Sequence, residues 1–451
     1  MTPINQPTQQ ILAAHARWKK AQDFIIGAQA VKSNPAYLSP LSGMGHGSAG
    51  HRNFISDTPF FNAADRACEG LLGLMMKKDP VLDKAGQFLP QIKSMLTGDG
   101  ETLEELTGRV CKEVLTTNYC GLVAEYPTMA PVSKANAVSS GARAYLNFFP
   151  AMNILEVTGR LDHLTCKRVI SRVRLLQDEN TVLMFELVDG QVVSKIYQAV
   201  DGQWPDIGQP TYTHKPIARG KPLTEIPFEL VTTNAGLNPG SALLDNVVEL
   251  NHSLYRAEGD LTEKIKYGIC PMVVITGADG EKLADKRFVP ASLLVIPDEN
   301  AKVTQVGASL EDAAPIRQRL DALMDQLAIA GSRILARQKA VAEAVETEAY
   351  RHGAENSILA SVANRISQRM ERALNKAAFY MEEGVECRFQ INVDYQPTDL
   401  SYQMVKEIGQ LIQDGVISNE AAFYRFREGG LYDRTSTYEQ EQARKKQSPS
   451  S

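Results

Sequence analysis

Three stretches of helical periodicity follow one another in the second half of this chain, and what lies between them limits the folds open to it. The first carries Leu244, Val247, Val248, Leu254, Leu261 and Ile265 behind Ser241, a residue suited to an N-cap, and Gly268 and Pro271 close it. The second carries Ile316, Leu320, Leu323, Leu327, Ala330 and Ile334. The third carries Leu359, Val362, Ile366, Met370, Ala373 and Ala377 and stops at Gly384. Two β-prone pieces, "PMVVITG" and "SLLVIPDENAKVTQVG", separate the first from the second around "ADGEK". A polar patch from Glu343 to Glu355, with no β period and little to bury, separates the second from the third. Joining two strong helices through such a patch does nothing for a compact monomer. The order helix, small β insert, helix, polar loop, helix asks for another partner.

The rest of the chain is more ordinary. Residues 1–53, with "SPLSGMGHGSAGH", read as a flexible segment rich in Gly, Ser, Pro and His. "TPFFNAADRACEGLLGLMMKKDP" predicts a helix with Thr58 as N-cap, Pro59 in its first turn and Ala64, Cys68, Leu71, Leu72 and Met75 on one stripe. "ETLEELTGRVCKEVLTTNYC" predicts a second, followed by an apolar run from Gly121 to Tyr126 that Pro127 stops. Residues 153–233 are β-prone, with Asp-Gly at 189–190 and 201–202 as hairpin signals. After the third long helix come one strand, "RFQINVDY", and two capped helices. Thr398 or Asp399 opens the first and Ser418 the second, with Gly415 and Gly429 as stops. Beyond Asp433 the polar tail reads as disordered. The fold class expected is α+β, mainly helical.

Composition narrows the function. Hydrophobic residues are 43% and charged residues 22%, enough to bury a core along most of the 451 residues. A net charge of -5 argues against a broad basic face that coats nucleic acid, though not against weak contact with it. The six cysteines form no Cys-x-x-Cys pair and read as reduced thiols of a cytosolic protein. No secretory h-region and no apolar run near the roughly 18 residues of a membrane span is present, so a soluble protein is expected. "GADGEKL" has the wrong spacing for a phosphate loop and reads as a hairpin turn. "GMGHGSAG" makes no nucleophile elbow, since His46 stands two residues before Ser48. His163 and Cys166 have no second pair to complete a metal site. Catalytic residues, metal and cofactors are therefore expected to be none, and the protein is not expected to be an enzyme.

Several segments together resemble the portal proteins of tailed double-stranded DNA bacteriophages, in a subgroup catalogued as an uncharacterised phage domain. They are "FFNAADRACEGLLGLMMKKDP", "GLVAEYP", "IPFELVTTNAG", "SALLDNVVELNHSLYRAEGD", "YGICPMVVITG", "LDALMDQLAIAGSRIL", "ETEAYRHGAENSILASVANRI", "FQINVDYQPTDLS" and "LIQDGVISNEAAFYRFREGGLY", in that order along the chain. The resemblance implies a portal fold: a wing over 54–240, a first stem helix over 241–268, a clip over 269–308 and a second stem helix over 309–338. It further implies a tunnel loop over 339–355, a wing or channel helix and strand over 356–396, a crown over 397–433 and a disordered tail over 434–451. Residues 1–53 and the β region match poorly.

What the resemblance implies for function is a homo-oligomeric ring of about twelve copies at one capsid vertex, assembled in the host cytoplasm and carried in the virion. Double-stranded DNA is packaged and ejected through its channel. The terminase large subunit, major capsid and scaffolding proteins and head-completion or adaptor proteins would be partners; no membrane is expected. Glu343, Glu346, Thr347, Glu348, Tyr350, Arg351 and His352 would face DNA from the tunnel loop, and Arg317, Asp321, Asp325, Arg333 and Arg337 would line the stem. Asp279, Lys282, Asp285, Lys286 and Arg287 would meet the motor at the clip. Mixed-sign side chains suit this role. A surface neutralising 6–10 phosphates holds DNA with strongly salt-dependent affinity, and such grip stalls sliding. The alternatives are a head–tail adaptor or minor capsid protein, or a phage enzyme whose site goes unrecognised.

Overall fold

The computed structural model describes residues 3–41, 44–86, 88–127, 143–162, 167–269, 272–276, 302–306, 313–330, 345–381, 386–393, 395, 402–414, 416–428 and 437–447. The chain divides into two compact units, Met1–Val393 and Asp394–Ser451. The fold is mixed α and β, and among the described residues no helix is long and apolar enough to cross a membrane.

The N-terminal segment is helical, against the expectation of a flexible 1–53. Helix α1 spans Gln9–Ile26, α2 Ala28–Ser33 and α3 Ala49–Asp57. Ile11, Ala14, Trp18, Ala21 and Ile25 recur every three or four residues and are buried. Intervening Gln, Lys, His and Arg residues disguise that stripe. The Trp18 indole N–H donates to the Thr117 carbonyl at 3.0 Å, and its ring lies 5.3 Å from that of Tyr119. The glycine-rich stretch is also anchored: the Ser48 hydroxyl accepts the His51 N–H to cap α3, and buried His51 joins the Gly47 N–H to the Leu38 carbonyl. Ahead of α1, Ile4 lies in an apolar cluster with Leu155, Val182, Met184 and Tyr197.

Helix α4 spans Ala63–Met75, five residues past the predicted cap. Thr58 instead ends α3, its hydroxyl bonding the Phe54 carbonyl. Strand β1 (Val81–Asp83) and α5 (Phe88–Ile92) precede α6 (Leu103–Thr117). Thr102 and Glu105 form a reciprocal capping box at the start of α6. Strands β2 (Cys120–Glu125) and β3 (Tyr145–Pro150) follow.

The expected β region is present. Strands β4 (Ile154–Asp162), β5 (Lys167–Asp178), β6 (Thr181–Val188), β7 (Gln191–Gln198) and β8 (Tyr212–His214) form a five-stranded antiparallel meander in that order. Both Asp-Gly pairs turn the chain as read: Asp189 and Gly190 have φ of 49° and 77°, Asp201 and Gly202 51° and 75°. Those are the left-handed values a two-residue hairpin turn needs. Strands β9 (Ile217–Ala218) and β10 (Lys221–Pro222) make a further hairpin. Strand β11 (Phe228–Val231) then pairs with β2, giving a three-stranded sheet in the order β11-β2-β3.

Helix α7 spans Asp245–Ile269, starting four residues past Ser241, and the Asp245 carboxylate turns back to accept the Ala242 N–H. Strands β12 (Met272–Thr276) and β13 (Lys302–Val306) pair antiparallel in register, and α8 (Ala314–Ala330) returns to pack on α7. Helix α9 spans Val345–Met381. The expected polar loop is therefore helical from Val345 to Glu355. The Ala and Glu residues there are strong helix formers, and propensity prevails where no apolar stripe marks the turn. Helix α9 lies across the three-stranded sheet with Leu359, Ala363, Ile366, Met370, Ala373 and Ala377 buried. Strand β14 (Arg388–Gln390) pairs with β1.

In the second unit, α10 (Tyr402–Gln413), α11 (Asn419–Glu428) and α12 (Tyr438–Gln447) follow one another. The Ser418 hydroxyl accepts the Ala421 N–H, the expected cap. Thr398, Asp399, Gly415 and Gly429 lie outside the described residues. The tail is not wholly disordered as expected. Thr437 and Gln440 cap α12, and Tyr438 sets its ring 5.7 Å from Phe423.

Candidate functional site

Helix α7 is fixed at its root by side chains that hydrogen-bond in several directions. Asn118 ends α6 in the left-handed conformation, φ 55°, and its amide N–H donates to the Ser241 carbonyl at 2.8 Å. Its oxygen accepts the Thr233 N–H and hydroxyl, both at 2.9 Å, so the turn before α7 is tied to α6. One turn into α7, fully buried Asn251 accepts the Ala63 and Ala64 N–H groups at 3.0 and 2.9 Å and donates to the Phe61 carbonyl. Farther along, Gly259 brings α7 against Leu38 and Phe54, where a Cβ would come within 2.9 Å of the first.

Beyond this root α7 and α8 pack along one buried seam. On α8 it comprises Leu320, Leu323 and Leu327, while Ala330 and Ile329 are exposed, Ile329 by 78%. Arg317, Asp321 and Asp325 stand four residues apart on one face of α8, all exposed, and Arg319 is exposed on the opposite side. Arg333, Arg337 and Glu343 lie outside the described residues, as do Asp279, Lys282, Asp285, Lys286 and Arg287. Glu346, Thr347, Glu348, Tyr350, Arg351 and His352 fall on the first two turns of α9.

The densest charge in this part of the chain was not anticipated. Arg365, Arg369, Arg372 and Lys376 follow along one side of α9, facing β11. Glu229 of β11, 6% exposed, receives Arg369 at 3.0 Å, Lys376 at 3.2 Å and Arg372 at 3.8 Å. Lys376 also donates to the Phe228 carbonyl at 2.6 Å and reaches Glu225 at 3.1 Å, while Arg365 donates to the Thr233 carbonyl. Glu225, Glu229, Arg369, Arg372 and Lys376 border a cleft of about 960 Å³ that Phe379 and Leu223 also line. A second recess of about 680 Å³ adjoins it at Asn234, Asn364 and Gln368. The signal was present in "IPFELVTT", where one acid interrupts a buried strand, and in cations spaced four, three and four residues apart.

On α7 the acids divide. Asp245 has Arg17 at 3.7 Å and Glu249 has Lys20 at 2.6 Å. Asp260 and Glu263 have no cation at ion-pair distance among the described residues. Burial, and then the Asp260 charge, raises the Glu263 carboxyl above its ordinary value. Among the described residues no three His, Cys, Asp or Glu side chains gather as a metal site. The four described thiols, Cys68, Cys111, Cys120 and Cys387, are buried, and burial raises each. Nothing in that arrangement activates a nucleophile. His163, Cys166 and Cys270 lie outside the described residues.

Residues 243–381 match the model of a domain of unknown function, DUF4055. No curated protein matches the chain. Among solved structures, the chain is similar to one from the neck of an empty GTA particle computed with C6 symmetry, at 12% identity and a TM-score of 0.42, over 84% of this chain and 94% of that one. It is similar to another from the virion of a native gene transfer agent particle, also at 12% identity and 0.42, over 90% and 98%. A third comes from the neck of the native GTA particle computed with C12 symmetry, at 12% identity and 0.41, over 80% and 88%.

Proposed function

We propose that this chain is a portal protein: copies form a ring around a channel that passes double-stranded DNA into and out of a capsid at one vertex. The observation that carries the reading is the excursion from α7 through the β12–β13 ribbon to α8 and then α9. It matches the resemblance in order and coincides with the segment that the domain model covers. Helices α7 and α8 cover one face of each other, and a helix whose other faces lack cover gains it by packing on neighbouring copies. Exposed Ile329 on α8 is the kind of side chain such packing removes from water, worth about 1.5–3 kcal/mol for a large apolar group.

The channel role follows from the electrostatics of sliding. Duplex DNA presents one charge per about 1.7 Å, so a uniformly basic wall would hold it. Arg317 followed by Asp321 and Asp325 on one face of α8 offers alternate attraction and repulsion in every copy. Contact of that kind reads no bases and sets no register. In this reading residues 269–308 form the clip that meets a separate packaging motor, and residues 339–355, with the first turns of α9, project toward DNA.

Light scattering on the purified chain, with negative-stain images, tests the proposal. The expected particle is near 600 kDa, about twelve times the 49.6 kDa chain, with an annular top view. A monomer or dimer at every protein and salt concentration would reject it. A ring that binds tail components but neither the motor nor packaged DNA would replace it with an adaptor.

A further inference from the structure

Charge on this chain is distributed as though part of it awaited a neighbour. On α9, four cations (Arg365, Arg369, Arg372 and Lys376) face two carboxylates, Glu225 and Glu229. Glu229 is already held at hydrogen-bond distance by Arg369 and Lys376. Arg372 is left with a 3.8 Å approach to that same carboxylate, and its side chain is 61% exposed at the cleft. Of the three cations beside Glu229, its guanidinium stands farthest off. On α7 the opposite holds. Asp260 and Glu263, three residues apart and so on one side of the helix, repel one another. Arg256 lies on the same side, one turn earlier, but outside ion-pair distance of either.

We infer that the Arg372 edge of the α9–β11 cleft receives the Asp260–Glu263 acids of a second copy of this chain, a head-to-tail contact that repeats from copy to copy. This rests on the ring reading proposed above and names the surfaces that close it. Charge complementarity selects the occupant. The cleft has cations in excess, and α7 carries an acid pair with no cation at ion-pair distance among the described residues. Different patches meet, so the contact is heterologous and propagates in one rotational sense, as a cyclic assembly requires. Part of the cleft wall is apolar, through Phe379 and Leu223, so a docked neighbour would remove water from beside the charges and strengthen their attraction.

Charge reversal reads this directly. Wild type, Arg372→Glu, Asp260→Arg/Glu263→Arg and the triple variant are diluted in parallel and sized by mass photometry at low and high salt. The two partial reversals are expected to move the dissociation midpoint to at least about tenfold higher protein concentration, and the triple variant to recover most of that loss. Arg372→Ala serves as the milder variant should the reversal disturb folding, and matching thermal transitions for all species show that the protomer is intact. If wild type assembles and both reversals assemble equally well, the contact is wrong while the ring stands. Dissociation of both reversals without recovery in the triple variant would also overturn the pairing. A wild type that never assembles would remove the contact and the ring together.

Discussion

Asn251 supplies from α7 the cap that α4 lacks in its own sequence. Asn62, the residue before α4, makes no capping bond, so two N–H groups of the first turn depend on a side chain 188 residues away. Asn251→Ala should lower stability by roughly 2–3 kcal/mol, since two buried donors and the Phe61 carbonyl lose their partner. The shift in urea midpoint checks it. Glu113 makes a different point. Burial raises its carboxyl above the ordinary value, and the Ala151 N–H, the Thr117 hydroxyl and Arg109 only partly offset this. Between the unfolded and the raised folded pKa, the native state thus holds a proton that the unfolded chain has released. This group costs stability above its raised folded pKa and ceases to do so as pH falls below the unfolded value. Glu113→Gln keeps an acceptor for Ala151 and should raise the melting temperature at pH 8 while leaving it nearly unchanged at about pH 4. Equal effects at both pH values would contradict the account.

At the scale of the element, legibility followed the source of the stabilising contact. The stripe of α9, the β12–β13 ribbon and both Asp-Gly turns are local patterns, and all were readable. The start of α4 was not, because its cap comes from α7. Helix α1 was missed because Gln, Lys and His residues dilute its apolar positions, although Trp18 becomes completely buried. Trp18→Ala should cost about 3–5 kcal/mol, seen as a drop in the thermal midpoint, where a flexible N-terminal segment would show almost none. The candidate site divides similarly. Arg317, Asp321 and Asp325 were named only through the resemblance, whereas the Glu229 cluster needs β11 and α9 to meet, which no local spacing announces. The first two turns of α9 were read as loop because nothing apolar marked them.

For the whole molecule, the portal reading proposed above has consequences for passage of a polyanion. Asp321→Lys/Asp325→Lys would turn one face of α8 wholly basic in every copy. The assembled ring should then retain duplex DNA more tightly and with a steeper salt dependence, and packaging should slow. Filter binding across a salt series together with DNA content per particle measures both; an unchanged salt slope would place α8 away from the channel. Deleting residues 345–352 should leave the mass of the ring unaltered and reduce DNA per particle. Normal filling would detach the start of α9 from translocation.

The fastening of α7 has a mechanical corollary. Asn118 and Asn251 fix its first turns to α4 and α6, and Gly259 seats its middle against Leu38 and Phe54, whereas its last turns lead into the ribbon. It is built like a cantilever. A transverse load delivered at the ribbon produces its largest bending moment where the clamped part ends, at Gly259, so the close packing there is the contact that bears it, about 15 Å from the end of the helix, taking 1.5 Å per residue.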